Sequence, residues 1–349
     1  MSHVDLLSLS YEELLNFVTN EVKAPKFRAK QLSEWLNKGA TFDEMLNLPK
    51  QFKETLIQKA YLSYPSIAAK YVSRIDGTVK FLYRMQDGEY VESVVMQYEH
   101  GYSICLSTQA GCRMGCKFCA STIGGKVRDL TPGEILSEIL IAQKELSVRI
   151  SNIVLMGIGE PLDNYDNVIK FLRLVNAAEG LNIGYRHISL STCGLVDGIY
   201  RLAKEDMPLT LSISLHASDD ETRSEIMPVN KKYSLGKLLK ACCDYFDETS
   251  RRISFEYTLI TEKNDSVEDA QRLASLLKRY LKSRPFHVNL IPVNEVTESG
   301  FRRGTKASVM TFCKILNSLG VNATVRRTLG SDINASCGQL RHNADSSES

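Results

Sequence analysis

A chain of 349 residues, 43% hydrophobic and 24% charged, can fold one large domain around a substantial core with a smaller module beside it. This composition excludes a fibrous or disordered protein, and no apolar run approaches the length of a membrane span. The net charge of +2 is too small to announce a nucleic-acid partner. Basic doublets at Arg251-Arg252, Arg302-Arg303 and Arg326-Arg327 read singly as solvated surface charge and together as a modest pointer to phosphates. The segment from Met1 to Val18 carries Asp5, Glu12 and Glu13 and no basic start, unlike an export signal. Nine cysteines in such a chain point to a reducing cytoplasm and to metal or redox use, not to a secreted disulfide framework.

Residues 1–64 read as a small helical module, with helices over Tyr11 to Val18, Phe27 to Leu36 and Phe52 to Ala60 separated by Pro25, Thr41 and Pro49. Lys26, Arg28, Lys30 and Lys50 on it could meet nucleic acid, although lysine-rich helix faces commonly serve solubility alone. Over 65–100 the pattern changes to strands: Tyr71-Val72-Ser73, Val79 to Tyr83 and Tyr90 to Met96, with Asp76-Gly77 as a hairpin turn. Ser103 to Leu106 is the next strand and belongs to 101–342, where strands and helices alternate. A capping box from Thr131 to Glu134, with Pro132 in the first turn, begins a long amphipathic helix. Strands follow over Asn152 to Met156, His187 to Ser191, Leu209 to Leu215, Ile253 to Ile260, His287 to Ile291 and Asn322 to Arg326. Helices fall between them over Tyr165 to Ala178, Gly198 to Lys204, Ser234 to Phe246, Val267 to Leu281 and Ala307 to Leu319. About six or seven β-α units with right-handed crossovers predict an α/β fold, a parallel barrel or part of one. Residues 343–349 read as a disordered tail.

The stretch from Cys105 to Cys119 stands out from this plan. Cys112, Cys116 and Cys119 form a C-x-x-x-C-x-x-C run, three thiolates within eight residues, with Gly111 and Gly115 letting the backbone wrap. No fourth Cys or His follows at zinc-like spacing, whereas a cubane iron–sulfur cluster held by three cysteines leaves one iron open to a ligand. Single buried cysteines pack as small hydrophobes; three in one glycine-containing loop are poorly explained that way. In parallel barrels functional groups gather at the C-terminal strand ends. That rule selects Cys105 with the cysteine loop, Met156 to Pro161, Ser191 to Gly194, Ser214-Leu215-His216 and Ile291 to Asn294. Gly157 and Gly159 permit close backbone approach to a ligand, and Glu160 offers a carboxylate to an amine or hydroxyl. Alone, His216 would be a core histidine and Asn294 a loop cap; together at strand ends these residues point to a shared ligand. Cys337 lies in a small-residue loop beyond the last strand, where a reactive role is open to it. Cys242, Cys243 and Cys313 fall on helical patterns as structural residues.

The three-cysteine loop with Phe118, followed by a partial barrel with a Gly-Glu pair after its second strand, resembles the radical S-adenosylmethionine (SAM) superfamily. Val91-Glu92-Ser93, Cys105 seven residues ahead of Cys112, Met156 to Pro161, Ser214-Leu215-His216 and Ser336-Cys337-Gly338-Gln339-Leu340 narrow the resemblance to the RlmN family of RNA adenine methyltransferases, over nearly the whole chain. The fold so implied is α/β: a partial (β/α)6-type radical SAM barrel with a small N-terminal helical domain and a short β extension carrying Glu92. The resemblance implies that Cys112, Cys116 and Cys119 hold a [4Fe-4S] cluster whose open iron chelates SAM. It implies a SAM pocket lined by Gly159, Glu160, Ser191, Ser214, Leu215, His216 and Asn294. Two SAM molecules would serve each turnover, one methylating Cys337 and one, cleaved reductively, giving the radical that removes a hydrogen from that methyl. Carbon 2 of adenine is electrophilic, so a methyl cation donor cannot reach it, whereas a thioether-stabilised methylene radical can add. Glu92 would accept the adenine proton. Cys105 would be the resolving thiol, leaving a transient disulfide with Cys337 that is reduced in each cycle.

The implied partners are 23S ribosomal RNA, transfer RNA and a flavodoxin-type electron donor, met in the cytoplasm and with no membrane involved. The target base must be splayed out to reach a barrel-mouth pocket. The sister group, Cfr, uses the same residues to methylate carbon 8 and confers antibiotic resistance; Ala110 before Gly111 and Pro161 after Glu160 resemble the carbon-2 branch. Outside the enzyme class, the alternative is a non-catalytic iron–sulfur RNA-binding protein. Ser336 stands where alanine is commoner and Cys193 where serine is usual, neither at an assigned role.

Overall fold

The computed structural model describes residues 3–294, 299–335 and 339–340. A short strand β1 (Val4–Asp5) pairs in parallel with β2 (Ala60–Tyr61), bracketing helices α1 (Tyr11–Asn16), α2 (Phe27–Leu36) and α3 (Lys50–Lys59). A capping box between Ser10 and Glu13 starts α1. The helix predicted through Val18 changes its hydrogen bonding after Asn16: Val22 N–H donates to the Phe17 carbonyl at 3.0 Å, one residue beyond the α pattern. Within that wide turn the Thr19 hydroxyl donates to the Leu15 carbonyl at 2.8 Å, a side-chain bond that competes with the backbone ladder. The helical region is bonded directly to the start of a later helix, since Ser8 Oγ accepts from Gly133 N–H at 2.9 Å.

One ten-stranded sheet organises most of the remaining chain. It begins as an antiparallel meander of β3 (Ser66–Val72), β4 (Val79–Arg84), β5 (Tyr90–Tyr98) and β6 (Gly101–Cys105). The Asp76-Gly77 turn forms as the sequence predicts, with Ser73 N–H donating to the Thr78 carbonyl at 2.8 Å. β3 is longer than the stretch Tyr71-Val72-Ser73 suggests, because a register shift between Ile67 and Ala69 lets it follow β4 further. After β6 comes a hairpin that the periodicity does not reveal, β7 (Gln109–Gly111) with β8 (Lys126–Asp129), and it encloses the cysteine loop. Helix α4 (Pro132–Leu146) opens on the expected Thr131–Glu134 capping box.

From β6 the sheet continues in parallel through β9 (Ile150–Leu155), β10 (Ile188–Thr192), β11 (Thr210–Ser214), β12 (Ile253–Leu259), β13 (Phe286–Pro292) and β14 (Ala323–Val325). The crossovers contain α5 (Tyr165–Asn176), α6 (Val196–Leu202), α7 (Asp220–Ile226) with α8 (Leu235–Thr249), α9 (Val267–Leu281) and α10 (Lys306–Ser318). α7 is an addition to the sequence reading; at 7 residues it is too short for a clear amphipathic period. β14 and β3 are the two ends of the strand order, so the parallel strands form an open, partial barrel.

Burial alternates along these strands. Leu190, Leu211, Ile213, Phe255, Tyr257, Val288 and Leu290 are fully buried in the main core. Ser191, Ser214, Glu256 and Thr258, which alternate with them, border an internal cavity. Parallel strands covered on both faces normally read as continuous apolar runs. Here the inner face is polar because it walls a cavity in place of packing into the core.

Candidate active site

The cysteine loop is built at the C-terminal end of β6. Gly111 has φ +71°, and a Cβ there would lie 2.0 Å from the Gly125 carbonyl oxygen, so only glycine lets the two arms of the β7–β8 hairpin close. Cys112 N–H donates to that same carbonyl at 3.0 Å, the Thr122 hydroxyl donates to the Cys119 carbonyl at 2.9 Å, and Lys117 N–H donates to the Ile226 carbonyl at 2.9 Å. The Phe118 ring packs edge-on against His216, 4.8 Å between centroids. The loop is therefore fixed at both its base and its tip.

Cys112, Cys116 and Cys119 border a cavity of about 150 Å³. Burial, joined by the charge of neighbouring thiols, pushes Cys112 up to about 12 and Cys116 upward as well. Such thiols ionise at neutral pH only with a cation to bind. No disulfide joins two described cysteines. Among the described residues no three His, Cys, Asp or Glu side chains are grouped to hold a single metal ion. The donor set is thus three soft sulfurs around one cavity, which fits a multi-iron cluster in its chemistry.

The strand ends supply the opposite wall, with Gly159, Glu160, Ser191, Ser214, His216 and Asn294. Leu215 does not border the cavity; its side chain is fully buried and its N–H donates to the Glu256 carbonyl at 3.0 Å. The Gly-Glu loop is sewn to the segment after β6, for Ser107 Oγ accepts from Ile158 N–H at 3.0 Å and Gln109 Oε1 from Glu160 N–H at 2.9 Å. A Cβ on Gly157 would lie 2.5 Å from the Leu106 carbonyl oxygen, and one on Gly159 2.7 Å from the Gln109 side chain. These two glycines therefore make room for the protein's own chain, a packing duty additional to the ligand approach the sequence suggests, since both also border the cavity. Glu160 is buried, which raises its carboxyl, but Leu162 N–H and Cys193 N–H donate to its oxygens at 3.0 and 2.7 Å and favour the ionised form. Burial, with the Arg223 charge nearby, lowers His216 to about 3. Its ring is consequently neutral, with Nδ1 accepting from Thr258 N–H at 2.9 Å and Nε2 left as a donor.

A second group lies on the antiparallel side. Val94 is paired with Lys80 on one side and Cys105 on the other, and Glu92 is two residues along from Val94. All four therefore share one face of the sheet. Glu92 is buried with its Oε1 2.9 Å from Lys80 Nζ. Cys105, Val94, Met96 and Ile158 pack in one apolar cluster with Ala335 and Leu340. Those last two bracket 336–338; Cys337 itself is outside the described residues, as is the tail 343–349. Ser121 Oγ donates to the Leu340 carbonyl at 2.8 Å, and Lys80 Nζ to the Asn334 carbonyl at 3.4 Å. The C-terminal stretch is thereby fastened to both the cysteine loop and the Lys80–Glu92 pair.

Two charged residues at the cavity escape the sequence reading. Arg326, half-buried, borders it with Nη1 3.7 Å from Glu256 Oε2. The strand-end rule selects Arg326 once β14 is placed, but as part of a doublet it reads as surface charge. Glu256 lies mid-strand, and only the curvature of the sheet brings it to the cavity.

The open parallel barrel with a three-cysteine loop on its first parallel strand defines the radical SAM class, and residues 106–274 match the Radical SAM superfamily. Residues 4–62 match the Ribosomal RNA large subunit methyltransferase N-terminal domain. A radical SAM methyltransferase from Sphaerobacter thermophilus superimposes with a TM-score of 0.92 at 38% identity, over 97% of this chain and 99% of that one. Among curated proteins, the probable dual-specificity RNA methyltransferase RlmN of Clostridium botulinum (strain Alaska E43 / Type E3) is 54% identical, over 97% of this chain and 96% of its own length. That of Clostridium acetobutylicum is 55% identical over 91% of each. The chain belongs to the RlmN family of radical SAM RNA methyltransferases. Membership implies a [4Fe-4S] cluster and SAM as cofactors. Among the described residues no helix is long and apolar enough to cross a membrane.

Proposed function

We propose that this enzyme methylates carbon 2 of an adenine in 23S ribosomal RNA and in some transfer RNAs, through an S-methylcysteine on Cys337. The observation that carries the reading is the cluster of Cys105 with Ala335 and Leu340 on the sheet face that also holds Glu92. The relatives' printed name, dual-specificity RNA methyltransferase, supports two kinds of RNA substrate. Cys112, Cys116 and Cys119 would hold the cluster, and Gly159, Glu160, Ser191, Ser214, His216 and Asn294 would line the SAM pocket, with Leu215 contributing through its backbone.

When bound, the cluster and two SAM molecules supply a methyl group to the Cys337 sulfur and then a radical that takes one hydrogen atom from it. The methylene radical on Cys337 would add to carbon 2, and the adduct would give its unpaired electron back to the oxidised cluster. Glu92, held by Lys80 in a buried pair, takes the carbon-2 proton. The Cys105 thiolate then attacks the Cys337 sulfur: a sulfur–sulfur bond forms, the carbon–sulfur bond to RNA breaks with its electron pair left on the methylene carbon, that carbon takes up a proton to become the methyl group, and the disulfide awaits two electrons from a thiol reductant. The helical residues 1–64, with Lys26, Lys30 and Lys50 exposed, would grip the RNA outside the pocket, a flavodoxin-type protein would supply the electron for the cluster, and the reaction would take place in the cytoplasm.

The test is mass spectrometry of the protein purified from cells, with nucleoside mapping of RNA treated under anaerobic conditions. A methyl group on the Cys337 peptide and 2-methyladenosine in ribosomal and transfer RNA are expected. Methylation that survives Cys337→Ala overturns the covalent route, and 8-methyladenosine as the product overturns the choice of carbon.

A further inference from the structure

Helix α7 carries Arg223 beneath the cofactor cavity, and its side chain is fully buried. Nε donates to the Leu215 carbonyl at 2.9 Å, Nη2 to the carbonyls of Cys193 and Ser214 at 2.8 and 3.0 Å, and Nη1 to Asn230 Oδ1 at 3.0 Å. Every one of these acceptors is neutral. Among the described residues two carboxylates are tied to this network, each at one remove: Asp220 through Asn230, whose Nδ2 donates to Asp220 Oδ1 at 2.9 Å, and Glu160 through Cys193, whose N–H donates to Glu160 Oε2 at 2.7 Å.

A guanidinium taken out of water without an anion beside it costs several kcal/mol, and hydrogen bonds to carbonyls recover only part of that. Arginine cannot escape by losing its proton as a buried lysine can. A compensating negative charge is therefore expected close by. Its hydrogen bonds point to where that charge belongs: the carbonyls of Cys193 and Ser214 that Arg223 holds are on residues of the cavity wall, Cys193 packs in one cluster with Cys116 and Ile226, and Ile226, three residues along α7, accepts from Lys117 N–H at 2.9 Å. On that wall Glu160 is held by the backbone N–H groups of Leu162 and Cys193, and the group that gains negative charge is the cysteine loop, once its thiols are thiolates on iron.

We propose that Arg223 is a positioning residue for the iron–sulfur cluster: a permanent buried cation that ties the ends of β10 and β11 together beneath Cys116 and holds the cluster's reduction potential up. The inference rests on reading Cys112, Cys116 and Cys119 as the cluster ligands. Reduction adds one negative charge to the cluster. A fixed positive charge in a low-dielectric interior favours that step, so removing it makes the cluster harder to reduce. The same side chain joins the carbonyls of Cys193, Ser214 and Leu215, so charge and geometry must be separated by the choice of variants.

Full-length wild type, Arg223→Lys, Arg223→Gln and Arg223→Met are reconstituted anaerobically, assayed for iron and sulfide, and titrated with EPR detection of the reduced cluster. With equal iron and sulfide, the reduced-to-oxidised ratio at a fixed potential is expected to fall at least about tenfold in the Gln and Met variants, or about 59 mV for one electron. The Lys variant, which keeps a cation beside the anionic cluster but loses the planar fork, is expected to stay within about threefold of wild type. Equal potentials in wild type, Gln and Met overturn the proposal. A Lys variant displaced by tenfold or more also overturns it, because geometry and not charge then carries the effect. That second comparison can still overturn the proposal where the neutral variants fail to fold. Wild type that takes up no cluster overturns the functional reading instead, so the two failures are distinguishable.

Discussion

The parallel and antiparallel parts of the sheet present their candidate residues by different geometry. On the parallel side, side chains arrive from strand ends and the loops after them: Cys112, Cys116 and Cys119 after β6, Glu160 after β9, His216 after β11 and Asn294 after β13. On the antiparallel side they stand on strands, Lys80 on β4, Glu92 on β5 and Cys105 at the end of β6, locked in register by ladder hydrogen bonds. A loop can wrap a bulky inorganic group from several directions but needs many small bonds to hold its shape, as the bonds from Cys112, Lys117 and Thr122 illustrate. A strand presents fewer directions and fixes each closely, which suits the base and resolving thiol proposed for Glu92 and Cys105.

This division of labour can be broken by experiment. The largest effect is expected from Cys116→Ala, which should reduce bound iron to background and abolish methylation while far-ultraviolet circular dichroism stays native. Glu92→Gln should keep the wild-type iron content and lose about 10²–10⁴-fold in methylation rate. Iron lost from Glu92→Gln would mean that the two sides are not separable.

Next in size is Lys80→Met. It leaves the buried Glu92 carboxylate without the cation 2.9 Å away, and urea unfolding should register a loss of about 3–5 kcal/mol. Adding Glu92→Gln to that variant should recover a large part of it, because no stranded charge remains; a double variant as unstable as the single one would assign the loss to Lys80 packing.

The smallest effect concerns the junction between the two parts. Glu138 of α4 is fully buried and accepts from Ser107 N–H at 3.3 Å with one oxygen, while Oε1 has no partner among the described residues. Burial raises its carboxyl well above the ordinary 4.5. The fold therefore keeps a proton that the unfolded chain releases, and stability falls as pH rises above about 4.5, by up to about 1.4 kcal/mol per pH unit, until the folded carboxyl ionises. Glu138→Gln removes that slope. Its stability relative to wild type should grow with pH across that window in parallel urea titrations, and a difference independent of pH would mean that Glu138 is ionised in the fold.

The sequence by itself determined the order of the parallel strands and helices, the capping boxes and the spacing of the three cysteines, because each of these is a local pattern of period, turn chemistry or loop composition. It also selected Glu160, Ser191, Ser214, His216 and Asn294, since strand ends of a parallel sheet converge whatever the helices between them contain. The β7–β8 hairpin was not legible, since two short arms around a cysteine loop carry no measurable alternation. Nor were the duties of Gly157 and Gly159, which depend on a segment some fifty residues earlier passing within 3 Å. Only the tertiary structure brings Lys80 to Glu92, Arg326 and Glu256 to the cavity, and Arg223 to the carbonyls beneath Cys116. A charged side chain on a helix or strand looks solvated in sequence, and only the packing that removes its water reveals what it must pair with.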